Sequence, residues 1–267
     1  MPNQTSSKRY LFQADATGVA GQFVYPSNDA IPIQAASALP SVGGRGSSRV
    51  EGFRHKDILS FDSAFTEVRG TETEDGVFET VAMSVVENFK LLDVVTCHRI
   101  VGILTGRHPG GLKVQAENII VPTGSVFEGL RIGDNFFERL EVEPDYFCDP
   151  EHATFTGLQR ALEKDEDRRI LATVTLPDVD GNRVPLPPRG QRTSLLGFSI
   201  ALGEPEEEAE LGFPLIFSVP DFGTVHLGEF FCQPTSRRLV MLRVVLNGAV
   251  QGQVVAGDPI VDGEPYP

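Results

Sequence analysis

The chain has 267 residues, enough to bury a large core in one all-β domain or in two smaller ones. Its net charge of −14 repels phosphate backbones and anionic lipid surfaces, which argues against nucleic-acid binding. No apolar run approaches the roughly 20 residues that a membrane span needs, and three irregularly spaced cysteines make no disulfide framework.

The N-terminus lacks the charged start and apolar core of an export signal, so we expect a cytoplasmic protein or one exported without a recognisable signal peptide. Four segments are predicted. They are an N-terminal tail and extended segment (1–45), a β-repeat region (46–148), a helix (149–169) and a C-terminal β region packed on the repeats (170–267). Within the first segment, Tyr10 to Tyr25 reads as short strand-like pieces, and Gly43 to Ser48 as a flexible link.

An octet with the pattern apolar, Glu, Gly or Asn, apolar, cation, two variable residues and Asp occurs three times. Its copies are Val50–Asp57, Val86–Asp93 and Phe127–Asp134. Such self-similarity indicates a supersecondary unit that is used more than once. The third residue is Gly, Asn and Gly in turn, and what these residues share is tolerance of positive φ.

Each octet is therefore predicted to form a β-turn whose third residue is left-handed, with apolar residues beginning and closing two strands. For the middle copy these strands are Thr80 to Val86 and Phe89 to Thr96. Hairpins of this kind build an antiparallel β-sandwich. The alternative, a β-solenoid, would place Glu51, Glu87 and Glu128 in one like-charged row, which is unfavourable without a cation.

Other elements follow from periodicity. Alternation over Ile58 to Val68 and strand-rich composition over Val94 to Leu104 and Val114 to Val121 predict strands. One short amphipathic helix is expected from about Pro150 to Arg168, with Asp149 at its N-cap. Further strands are predicted at Ile170–Leu176, Leu195–Leu202, Leu215–Val219, Thr224–Phe231 and Leu239–Leu246.

Possible metal ligands are scattered. The Glu and Asp residues of the octets offer oxygen ligands to calcium, and Asp178, Asp180 and Asn182 resemble the start of a calcium loop that lacks its closing Glu. A hairpin turn explains the second group without an ion. For zinc, the donors to consider are Cys97, His98, Cys148, His152, His226 and Cys232, but neighbouring strand residues such as Cys97 and His98 point to opposite faces.

The sequence contains no recognisable catalytic motif: the GxSxG elbow is missing and no histidine stands in a known catalytic pattern. A second sequence echo pairs Val19–Val24 with Val250–Val255. It is either a coincidence, since the shared pattern is short, or a pair of edge strands, which are templates for strands from other chains. We therefore expect a non-enzymatic structural or interaction protein that forms homo-oligomers, or binds a protein partner, through its β-sheet edges. The alternatives are a calcium- or glycan-binding β module and a hydrolase with a carboxylate pair.

Overall fold

The computed structural model describes residues 9–109, 117–141, 152–157, 160, 215–232 and 235–266. These ranges contain thirteen β-strands and one helical turn. The strands are β1 Arg9–Tyr25, β2 Asp29–Ala38, β3 Gly44–His55, β4 Leu59–Glu72, β5 Phe78–Leu91, β6 Val95–His108, β7 Ile119–Val121, β8 Val126–Ile132, β9 Asn135–Glu141, β10 Leu215–Val219, β11 Gly223–Cys232, β12 Arg237–Asn247 and β13 Gln251–Tyr266.

The strands form two antiparallel sheets that pack face to face. Sheet A has the order β10-β11-β12-β13-β1-β2, and sheet B has the order β3-β4-β5-β6-β8-β9, with β7 paired to β6. The predicted all-β antiparallel sandwich is confirmed. The solenoid alternative is wrong, because consecutive strands of sheet B pair as antiparallel hairpins instead of stacking in parallel coils.

The chain starts and ends in the same sheet. Strand β1 pairs with β13 from Arg9 opposite Tyr266 to Tyr25 opposite Gln251. Strands β1 and β2, from the predicted N-terminal segment, therefore share a sheet with β10–β13. The expectation of short strand pieces before Tyr25 is wrong, since β1 is one strand of 17 residues. The flexible link is also wrong, because β3 begins at Gly44.

The core lies between the sheets, where β1 packs on β4 and β5 and β13 packs on β5 and β6. The predicted alternation in β4 is confirmed at Leu59 and Phe61, which are buried, with Ser60 and Asp62 more exposed. Beyond Asp62 it is wrong, because the inward face passes to Ala64, Thr66 and Val68 in place of Phe65 and Glu67. Large buried side chains from both layers fill the space between them, namely Phe23, Leu59, Phe89, Leu91, Ile100, Leu104, Phe127, Leu130 and Phe230.

The predicted helix is shifted where the structure describes it. Residues 152–154 are not helical, and the described turn covers 155–157. The Gly157 N–H donates to Thr154 Oγ1 at 3.1 Å, so Thr154 acts as the N-cap. The predicted N-cap Asp149 and the rest of the predicted helix, apart from Arg160, lie outside the described residues. In the part of the chain that the structure describes, no helix has the length and apolar character of a membrane span.

Candidate functional site: the hairpin repeats and the edges of sheet B

The third residue of each octet is left-handed, as predicted, with φ of 65° at Gly52, 52° at Asn88 and 61° at Gly129. The predicted turn at this position is wrong, however. Each of these residues lies inside a strand, and β5 runs without interruption from Phe78 to Leu91. The chain reverses direction only at the end of the octet.

These left-handed residues lie in one line across sheet B, which we call kink row B. The strand registers place six residues opposite one another, in the order Gly52, Asp62, Asn88, His98, Gly129 and Glu138. Left-handed residues occur on alternate strands of this row, β3, β5 and β8. No strand gains or loses a residue in its register there.

Kink row B changes which residues face the core. A regular strand turns every second side chain inward, but here inward residues are three apart on every strand of the row. The pairs are Val50 and Phe53, Phe61 and Ala64, Val86 and Phe89, Cys97 and Ile100, Phe127 and Leu130, and Phe137 and Leu140. The first four positions of the octet are an apolar residue, Glu, either Gly or Asn, and a second apolar residue. They thus encode two buried residues separated by two outward-facing ones.

The seventh position of the octet is also left-handed, with φ of 52° at Lys56, 50° at Leu92 and 55° at Gly133. Here the chain does turn. The Ile58 N–H donates to the His55 carbonyl, and the Val94 N–H donates to the Leu91 carbonyl. The eighth residue, Asp in all three copies, therefore sits at the hairpin tip.

Neighbouring hairpin tips are joined to one another. The Leu92 N–H donates to the Ile58 carbonyl at 2.8 Å, and the Gly133 N–H donates to the Val94 carbonyl at 2.9 Å. In both bonds the donor is the seventh octet residue and the acceptor is the residue that follows the previous octet. The three hairpins therefore form a regular series in which each one docks on the last in the same way.

The octet glutamates do lie in one row, but cations and a hydroxyl separate them. The registers give the order Glu51, Ser63, Glu87, Arg99, Glu128 and Arg139. The Ser63 hydroxyl donates to Glu87 Oε2 at 3.0 Å, and Arg139 bonds Glu128 at 3.0 Å. The like-charged row that seemed unfavourable is thus compensated within the antiparallel sheet, because opposite charges face each other across strands.

Sheet B ends on two strands, β3 and β9, and each pairs on one side only among the described residues. Sheet A ends on β2 and β10. Strand β2 carries Pro32, which has no N–H to donate, and Ala35, whose φ is 54°. Both features hinder the addition of another strand. Strand β10 has five residues, whereas β3 has twelve and β9 has seven.

The predicted edge role of the second echo is wrong. Val19–Val24 and Val250–Val255 are inner strand segments of sheet A that pair with each other, with Gln22 opposite Gln253. Their outer faces, with Val245 of β12, line an open groove of about 590 Å³ that contains no charged side chain.

A charged cluster on the outer face of sheet A escaped the sequence analysis. Arg243 binds both oxygens of Glu229 at 2.5 and 2.6 Å, and Arg238 binds both oxygens of Asp258 at 2.5 and 2.8 Å. His226 lies beside the first pair, with Nδ1 3.5 Å from Glu229. Burial and the nearby Arg243 lower the pKa of His226 to about 4, against a smaller raising effect of Glu229.

This cluster bears on the hydrolase alternative, which needs one carboxyl group that can donate a proton. Glu229 and Asp258 lie in one lateral row, with Val240 between them. Each carboxylate, however, has both oxygens bound by a guanidinium group. The two are thus held as structural ion pairs. Sequence reading could not find them, because each partner lies 14 or 20 residues away on another strand.

A second buried polar group lies at one end of the core. The Asn118 side-chain amide donates to the Gly263 carbonyl at 2.7 Å, and Tyr10 donates to Asn118 Oδ1 at 3.4 Å. Tyr10 also stacks on Phe78, with ring centroids 4.8 Å apart. Burial raises the pKa of Tyr10 to about 12. This group ties β1 and β13 of sheet A to the segment before β7.

The structure separates the predicted metal ligands that it describes. Cys97 is buried in sheet B, and burial raises the pKa of its thiol to about 12, while His98 is exposed. His226 lies on the outer face of sheet A. His152 is half-buried, and the side chains of Cys148 and Cys232 lie outside the described residues. So do the calcium candidates Asp178, Asp180 and Asn182.

The octet carboxylates also stay apart. Their glutamates alternate with Ser63 and Arg99, and Asp57, Asp93 and Asp134 occupy separate hairpin tips. Across the described ranges, no three His, Cys, Asp or Glu side chains are placed to hold a metal ion together.

Comparison with known protein families gives a match to most of the strands described above. The family described as "Domain of unknown function (DUF8256)" matches residues 10–173, which covers β1 to β9 and thus all three hairpins. No curated protein and no solved structure matches the chain. Because the match spans 164 of the 267 residues, the chain belongs to the DUF8256 family.

Proposed function

We propose that this protein is a non-enzymatic structural or interaction protein that self-associates through the edges of its β-sheets. The observation that carries the proposal is the open series of hairpins in sheet B. Each hairpin docks on its neighbour by strand pairing and by a tip hydrogen bond. Among the described residues, no strand pairs with the outer edge of β3 or of β9, although β2 contacts β3.

An unpaired edge is a template for a further strand, because its outward N–H and C=O groups lack partners. The side chains of β9 favour this use. Phe136 is 57 % exposed, and Phe137 and Leu140 continue the inward apolar pattern of the sheet. The charged residues of β3 and β9 hinder unselective strand addition, so a partner strand must carry opposite charges at the facing positions.

The charges of the described sites also support a structural role. Most of the arginines described in sheet B form ion pairs with carboxylates, such as Arg45 with Glu67 and Arg107 with Glu79. In sheet A the buried carboxylates Glu229 and Asp258 are paired in the same way with Arg243 and Arg238. These groups stabilise the sandwich.

Self-association is tested by sedimentation velocity and light scattering over a dilution series from about 1 µM to about 1 mM, the range that covers weak edge contacts. We expect the mean molar mass to rise with concentration above the 29.0 kDa of one chain. A protein that stays at the mass of one chain across the whole series would overturn the proposal.

A further inference from the structure

We propose that sheet B continues from one molecule to the next, with β9 of one copy pairing antiparallel with β3 of a second copy. This inference rests on the proposed function and names the two surfaces that meet. It follows from the repeat itself. Within the chain, the second strand of each hairpin (β4, β6) pairs with the first strand of the next (β5, β8). Strand β9 is the second strand of the last hairpin, and β3 is the first strand of the first hairpin.

The internal pairings fix the register. Leu59 lies opposite Leu91 between the first two hairpins, and Val95 lies opposite Ile132 between the last two. The equivalent residues at the open edges are Asn135 on β9 and His55 on β3. When these two residues are set opposite each other, the partner of every other residue in the two strands is fixed.

The resulting pairs are complementary in charge and in polarity. Arg139 meets Glu51 of the next copy and Glu141 meets Arg49, so two pairs of opposite charges face each other across the contact. Arg139 already bonds Glu141, and Arg49 already bonds Glu51, within one molecule, so the contact joins two existing ion pairs into one alternating network. The full set is Phe136 with Arg54, Phe137 with Phe53, Glu138 with Gly52, Arg139 with Glu51, Leu140 with Val50, and Glu141 with Arg49.

The pairs also agree with the faces of the sheet. Phe137 and Leu140 face the core of their own molecule, and so do Phe53 and Val50, so the two cores join across the contact. Phe136 meets Arg54 on the outer face. The same ring already has the Arg131 guanidinium 5.3 Å from its centroid, so it accepts a cation–π contact.

Kink row B distinguishes this pairing from β9 pairing with β9 of a second copy. Left-handed residues alternate along the row, on β3, β5 and β8 but not on β4, β6 or β9. A strand added to β9 must carry a left-handed residue at this row to continue the alternation. Strand β3 does, at Gly52. In this register Lys56 of the next copy lies opposite Asp134, so the equivalent tip hydrogen bond runs from the Lys56 N–H to the Asp134 carbonyl.

The two surfaces that meet are different, so the contact is head-to-tail. Such a contact closes into a ring or continues as a filament, and it does not stop at a dimer. We therefore expect a series of oligomers whose mean size grows with concentration.

The decisive experiment exchanges charges across the contact. Arg139→Glu alone sets Glu against Glu51, and Glu51→Arg alone sets Arg against Arg139. Each single variant is expected to raise the concentration for half-association by at least roughly tenfold, since like charges face each other. An equimolar mixture of the two variants, and the double variant, are expected to return to within about threefold of the unmodified protein.

The matched control is Arg45→Glu, which makes the same charge change on β3 outside the paired stretch and is expected to leave association unchanged. Singles that associate like the unmodified protein, or a mixture that fails to restore association, would overturn this pairing. If the unmodified protein is monomeric throughout, the proposed function fails. If it associates and the charge variants associate equally well, only the β9–β3 pairing fails.

A cross-link keeps the test independent of variant stability. Phe136→Cys mixed with Arg54→Cys is expected to give a covalent dimer on oxidation, because directly opposite Cβ atoms lie about 5 Å apart. Phe136→Cys mixed with Lys56→Cys is out of register and is expected to give no more dimer than the oxidised unmodified protein. Equal yields from both mixtures would rule out the proposed register.

Discussion

At the scale of single residues, a backbone angle decides which side chains reach the core. Gly52, Asn88 and Gly129 adopt positive φ inside strands, where residues with a β-carbon are strained. At Gly52 the effect of φ can be separated from packing, because a β-carbon built there meets nothing within 4 Å.

We therefore expect Gly52→Ala to destabilise the protein by about 1–2 kcal/mol, from the left-handed conformation alone. Gly52→Asn should cost less, because Asn tolerates this region and already occupies the equivalent position 88. Urea unfolding of both variants measures the difference. An alanine variant as stable as the glycine protein would show that the left-handed conformation is not strained.

A second prediction at this scale concerns His226, whose pKa is lowered to about 4 in the folded protein from 6.5. The unfolded chain then binds the proton first as pH falls, so this contribution to stability is full above pH 6.5 and is lost towards pH 4. Between pH 7.5 and 5.0 the loss is about 2 kcal/mol by linkage.

His226→Gln removes the titrating group. Urea unfolding of both proteins at pH 7.5 and 5.0 is expected to show a smaller loss of stability in the variant. Carboxylates titrate in both proteins, so their contribution cancels when the loss of stability between the two pH values is compared. Equal losses would mean that His226 titrates normally in the folded protein.

At the scale of elements, the hairpin tips of sheet B differ in how well their residues suit the turn. Asp93 has φ of 53° and a mostly exposed side chain, with only a surface ion pair to Lys90. Glycine adopts this conformation without strain. The equivalent Asp134 does not have positive φ. Its tip is shorter, with two residues between Ile132 and Asn135 against three between Leu91 and Val95.

We expect Asp93→Gly to stabilise the protein by about 0.5–1 kcal/mol, because it relieves a left-handed non-glycine residue. Asp134→Gly is the matched control and should be neutral or destabilising, since glycine there only adds freedom to the unfolded chain. Thermal unfolding reports both. A gain in both variants would contradict the explanation by backbone angle.

The same hairpins show what sequence can predict about this protein. The repeat, the left-handed third residue and the all-β sandwich follow from the octet, because Gly and Asn at a fixed position restrict φ. The place of the turn does not follow. A left-handed residue between two strand-forming runs has the same local pattern at a tip and within a strand, and only pairing with β4, β6 and β9 distinguishes them.

The candidate site, too, could be predicted from the sequence only in part. Glu51, Glu87 and Glu128 are visible in the sequence as a set, but Arg99 and Arg139 join their row through pairings across strands. The ion pairs of Arg238 and Arg243 are also non-local. The proposed β9–β3 contact could not be derived before the register of sheet B was known.

At the scale of the whole molecule, sheet A approaches the inner face of sheet B closely along a row of small residues. Sheet A has its own row, in the order Gly228, Met241, Gly257, Gly18 and Ala35, again with positive φ on alternate strands. Several of its residues face sheet B at close range. A β-carbon at Gly18 would lie 3.0 Å from that of Ala64, which explains the small residues there.

Met241 is the one large side chain of that row, and it rests on Gly102 of β6, where an added β-carbon would lie 2.9 Å from Met241 Cγ. We expect Gly102→Ala to destabilise the sandwich by about 1–3 kcal/mol through overpacking. In a Met241→Ala background the same change should cost less, with a coupling of about 0.5–3 kcal/mol. A double-mutant cycle by urea unfolding measures it, and purely additive effects would contradict this close approach.

The distance between each left-handed strand residue and its hairpin tip has a consequence for chain length. From Gly52, Asn88 and Gly129 the strand ends three residues later in every copy, at His55, Leu91 and Ile132. The copies nevertheless begin 36 and then 41 residues apart. The intervals differ because the connection after β6 is longer than the one after β4: β4 ends at Glu72 and β5 begins at Phe78, whereas β6 ends at His108 and β8 begins at Val126. Loop length also varies at the tips, where three residues separate Leu91 from Val95 but two separate Ile132 from Asn135. Insertions are therefore tolerable in the loops at either end of the strands, whereas one extra residue between a left-handed strand residue and its tip would shift that strand's pairing with the strands beside it.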